Sequence, residues 1–84
     1  MPHTCHALGC EIEVPPRLLM HREHWRMIPA FLRLRVLHAY QPGQEITKVT
    51  TAAYRQAAAL AIISVAEQEG RDVPELYRRM ALKG

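Results

Sequence analysis

Eighty-four residues, 49% of them apolar and 23% charged, describe one globular domain rather than a disordered chain. No apolar run approaches the roughly 18 residues that span a bilayer; the longest, Ala57 to Ile63, has seven. The net charge of +3 neither demands nor forbids an anionic partner.

At the start, Met1-Pro2-His3-Thr4-Cys5 shows no basic stretch leading into an apolar one. No signal peptide is read there, and the expected location is the cytoplasm, where thiols stay reduced. Residues 5 to 10, C-H-A-L-G-C, read as a zinc knuckle in which Gly9 takes a positive φ that turns backbone amides toward a thiolate. Glu11-Ile12-Glu13-Val14 alternates polar and apolar like a short half-buried strand, and Pro15-Pro16 stops it. Leu18, Leu19 and Met20 lead into His21-Arg22-Glu23-His24-Trp25, where histidines three apart share one face of a helical turn.

Cys5 and Cys10 stand as C-x4-C, and after ten residues His21 and His24 stand as H-x2-H. Two thiols and two imidazoles complete a tetrahedral zinc shell, which makes the site structural, and a small domain gains folding energy from it. One structural Zn2+ held by these four side chains is therefore expected, in a treble-clef-like module. His3 and His6 compete for a ligand place, but His6 adjoins Cys5 and would strain a shared tetrahedron, so it is expected to point outward. Trp25 is expected to pack over the metal site. Glu23 lies between the histidines, yet H-R-E-H is neither H-E-x-x-H nor H-x-x-E-H. Without an open metal position, a phosphate loop or a nucleophile elbow, the chain reads as no enzyme.

Pro29 suits the start of a helix running to about Tyr40. Its apolar residues Phe31, Leu32, Leu34, Val36, Leu37 and Tyr40 do not fall in one stripe, so it is expected to be covered on two sides. Thr50 or Thr51 caps a longer helix over 52–68, ended by Gly70. Tyr54, Ala58, Ala61, Ile62 and Val65 form its apolar face. Leu60 and Ile63 lie off that face and call for the last helix or a second subunit to cover them, which makes them the candidate homodimer face. Asp72-Val73-Pro74-Glu75 matches a capping box for a last helix over 73–81. The expected fold is thus mainly α with a small β/zinc-knuckle element: one domain, 1–84, with a zinc module at 1–27 packed on about three helices in 28–84.

Nine of the eleven cations are arginine, and Arg17, Arg22, Arg26, Arg33 and Arg35 gather in one stretch with Glu23 as its only acid. Such guanidinium groups suit phosphate or carboxylate. With Trp25 as a stacking or anchoring ring, they form the candidate binding face for nucleic acid. The bland alternative is a solvated helix surface.

Certain motifs carry a resemblance. Cys5-His6-Ala7-Leu8-Gly9-Cys10, Val14-Pro15-Pro16, Met20-His21-Arg22-Glu23-His24-Trp25, Pro29, and Ala39-Tyr40-Gln41-Pro42-Gly43-Gln44 resemble the pattern C-H-x-x-G-C, V-P-P, M-[C/H]-x-x-H-W, a proline-started helix and A-Y-x-P-G-Q. That pattern belongs to small bacteriophage and prophage zinc-finger-like proteins. The third ligand place often looks like cysteine in that group and is His21 here. The resemblance implies a phage or prophage accessory protein in the cytoplasm of a bacterial host, binding and modulating a host or phage protein, some of its kind inhibiting host defence. The expected function is accordingly a non-enzymatic zinc-binding interaction module, with a nucleic-acid-binding regulator as the alternative.

Overall fold

A computed structural model describes residues 3–16, 18–44 and 50–83; Arg17 lies outside them, and so does the side chain of Lys83. The chain is mainly helical: α1 (Arg22–Met27), α2 (Ala30–Ala39), α3 (Ala52–Gln68) and α4 (Glu75–Lys83). No described helix is long and apolar enough to cross a membrane.

The expected strand over 11–14 does not form, and the small β element is corrected to one antiparallel bridge between Thr4 and Glu13. Amide bonds from Cys5 to Ile12 (2.8 Å) and from Val14 to His3 (2.9 Å) flank it. Pro15-Pro16 offers no further amide, and the turn at Gly9 (φ +78°) closes the other end. Nothing is left over which a ladder can grow.

Pro29 stands just before α2 rather than inside it, its carbonyl accepting from the amides of Leu32 and Arg33. Thr51 caps α3, its Oγ1 accepting the Tyr54 amide at 3.1 Å. At the far end Gly70 (φ +71°) closes the helix: the Arg71 amide reaches the Ala66 carbonyl, and the Gly70 amide that of Glu67. This pair of bonds is a Schellman motif. The last helix begins at Glu75, two residues later than the capping-box reading, because Pro74 bars the residue before it from helical conformation.

Helix α3 is the centre of the molecule and packs against α1, α2 and α4. Beyond the expected apolar face, Ala57, Ala59 and Ala66 are also buried, since small side chains let neighbours approach from several sides. The N-terminal module joins the same core: Cys5, Ala7, Leu19 and Met20 cluster with Ile28, Leu32, Val36, Ile62 and Val65. Gln68 of α3 donates to the Met27 carbonyl at 2.7 Å, occupying one of the carbonyls left unpaired where α1 ends.

One packing expectation is corrected. Helix α2 is covered on one side only, through Leu32 and Val36, while Phe31, Leu34 and Leu37 are exposed. Leu60, half-buried, packs against the core cluster, and Ile63 is half-buried too, while Phe31, Leu34, Leu37, Leu76 and Leu82 are among the large apolar side chains that are exposed.

Candidate metal centre

The Gly9 turn carries Cys5 and Cys10, and the start of α1 carries His21 at its N-cap and His24 in its first turn. These four bring one donor atom each within 4.8 Å of one another. Both cysteines are free thiols, Cys5 buried and Cys10 half-buried. Cys5 Sγ lies 3.4 Å from His24 Nδ1, and Cys10 Sγ lies 3.6 Å from His21 Nδ1. Metal bonds of about 2.3 Å to sulfur and about 2.0 Å to nitrogen, meeting at a tetrahedral angle, set those atoms about 3.5 Å apart. The observed separations match that edge. The side chains fit one metal ion, with Nδ1 as the donor of both imidazoles.

Glu69 accounts for the imidazole orientation of His24. Its Oε2 lies 3.1 Å from His24 Nε2. A carboxylate can only accept, so Nε2 carries the proton and Nδ1 keeps the lone pair that ligation needs. This bond is the leading cause holding the Glu69 carboxyl below its ordinary pKa, with Arg71 adding to it. The guanidinium of Arg71 lies 3.3 Å from Glu69 Oε1 and against the backbone of Gly9, where a Cβ would come within 2.8 Å of it. The Schellman turn at Gly70 thereby clasps the metal module from the end of α3.

Burial pushes the Cys5 thiol up from its ordinary pKa; the amides of Ala7 and His21 point at it and oppose the rise, and neighbouring Cys10 adds to it. Those amides are donors waiting for a thiolate, and a bound metal deprotonates a coordinating thiol outright.

The other sequence candidates distribute as follows. His6 points away from the four donors and pairs with His3, Nε2 to Nε2 at 3.1 Å, while His3 Nδ1 meets the Val14 carbonyl at 3.3 Å. His6 is exposed to solvent, yet the protein atoms gathered around its ring, and after them the adjacent His3, hold it below its ordinary pKa. The cleft beside Cys10, His21 and His24 is lined by Gly9, Glu11, Glu23 and Arg71; Trp25 packs against the core cluster that holds Cys5 and lines an apolar groove with Met20 and Tyr40. Arg22, Arg26 and Arg35 are exposed and Arg33 half-buried. Glu69 and Arg71 went unread in the sequence. The Gly70 stop signal marks the turn they flank, but nothing local says that it faces residues 9 and 24.

No family model, curated protein or solved structure matches the chain.

Proposed function

We propose that this chain is a non-enzymatic interaction module of a bacteriophage or prophage, built around one structural Zn2+ and docking on a protein of the host or the phage. The observation that carries it is the donor set: Cys5, Cys10, His21 and His24 converge, and two sulfur–nitrogen pairs stand at the separation a tetrahedral shell requires. Four protein ligands leave no coordination position for a reacting water, so the metal serves the fold. The knuckle and the helical turn keep the plan of a treble-clef-like finger, its hairpin reduced to a bridge. Large apolar side chains exposed away from the metal support a surface that meets another protein.

Exposed Arg22, Arg26 and Arg35 favour the second reading, a nucleic-acid-binding regulator. Metal analysis of chain purified without chelator is expected to give about one zinc per chain with all four ligands present. Binding of duplex and single-stranded oligonucleotides at two salt concentrations separates the two readings. Phosphate contact gives a log–log slope of about −0.9 per neutralised phosphate on duplex DNA. The interaction-module reading expects no such binding. A metal-free folded chain, or steep salt-dependent binding of oligonucleotides, would overturn it.

A further inference from the structure

We propose that the exposed face of α2, with the groove beside it, is a docking site for an acidic amphipathic helix of a partner protein; this rests on the interaction-module reading. On α2, Leu32 and Val36 face the core, whereas Phe31, Leu34 and Leu37 are 66%, 53% and 59% exposed. A helix turns about 100° per residue, which places those three on one strip and sets Arg33 and Arg35 at its two edges. Single exposed leucines need no explanation, but three large apolar side chains on one short helix make a contiguous patch of the kind that marks interaction sites. Through Leu37 the strip runs into a groove of about 490 Å³, whose other walls include Leu18, Trp25 and Tyr40 and which Arg22 also lines.

Charge decides the occupant. From Arg22 to Gln44 the only carboxylate is Glu23, and it lines the metal cleft with Glu11 and Arg71, not the groove. Strip and groove are thus edged by guanidinium groups without a carboxylate among their described residues. A second copy seated here would set guanidinium against guanidinium, a like-charge juxtaposition that rejects a partner. Nucleic acid would answer the cations through its phosphates but offers little to Phe31, Leu34 and Leu37. An amphipathic helix with an apolar ridge flanked by Asp and Glu answers both at once. Its length fits too, since α2 presents about 15 Å, or some three helical turns.

The test is selection of a displayed library of random helix-forming peptides against the full chain carrying its metal. Enriched peptides are expected to place apolar residues at helical spacing between acidic ones. Their affinity is expected to fall about tenfold or more with Leu34→Asp, and with Arg33→Glu combined with Arg35→Glu. Circular dichroism melts of both variants should match the parent, because the altered side chains sit outside the core. Peptides without acidic enrichment, or binders indifferent to both variants, would overturn the α2 site and leave the interaction-module reading standing. A library yielding no binder, with oligonucleotides bound instead, would overturn both. A dimer in light scattering that Leu34→Asp dissociates would replace the acidic helix with a second copy.

Discussion

Glu69 is the residue on which the candidate metal centre leans most without being one of its four donors. It holds the proton-bearing nitrogen of His24 at 3.1 Å, so Glu69→Ala frees the ring to rotate and to change tautomer. Metal affinity, measured by competition with a chromophoric chelator, should fall about 10- to 100-fold, with the fold retained in circular dichroism. The sign of its pH dependence follows from the depressed carboxyl. A group whose pKa is lowered by folding contributes stability above its unfolded value, and that contribution is lost as pH falls through the folded value. Glu69→Gln should flatten this acid limb of a stability-versus-pH curve. Gly9 is the second decisive residue. At φ +78° any other residue pays left-handed strain, so Gly9→Ala should destabilise by about 1–2 kcal/mol in denaturant melts. The Arg71 guanidinium beside it can swing aside, so the backbone term should dominate.

At the scale of elements, α3 is held by its cap and by its alanines. Removing the Thr51 hydroxyl leaves the Tyr54 amide without its partner, and Thr51→Ala should cost about 1 kcal/mol. Ala59 is fully enclosed, and Ala59→Leu should destabilise by about 1–3 kcal/mol through overpacking, a larger loss than the cap although it adds apolar surface. Thermal or denaturant unfolding of the two variants checks the order. Helix α2 behaves in the opposite way. Its inner edge is two residues wide and its outer edge is apolar, so substitutions at Leu32 and Leu34, two positions apart, should differ sharply. The first cuts into the core, and the second touches only solvent and the proposed partner.

For the whole molecule, the candidate metal centre couples the first third of the chain to the rest. Cys5 is at once a candidate ligand and a core residue, clustered with Ala7, Met20 and Ile28. Chelation should therefore lower the melting temperature of the entire chain, since the binding free energy is part of the folding free energy. Acid should act the same way. Ligation needs thiolate and neutral imidazole, and burial already raises the Cys5 thiol, so protons displace the metal as pH falls. Zinc release followed during an acid titration should coincide with the loss of tertiary signal. A loss of zinc that leaves the tertiary signal intact would separate the metal from the fold.

Sequence alone determined what depends on near neighbours. The spacing of Cys5, Cys10, His21 and His24 named the donor set, because a knuckle and a helical turn place their own ligands. The span of α3, its Thr51 cap and its Gly70 stop were legible because capping is chemistry within a few residues. Only the tertiary structure decided the rest. The strand over 11–14 was lost because nothing paired with it beyond one bridge, and pairing belongs to two segments at once. Trp25 turned to the groove, and Leu60 reached the core, according to which helix arrived beside them. Glu69 and Arg71 became part of the metal centre because the turn at Gly70 brings the end of α3 over residues 9 and 24. The exposed strip of Phe31, Leu34 and Leu37 was hidden for the same reason: an apolar residue announces a preference for burial, and only the packed neighbours determine whether anything within the chain satisfies it.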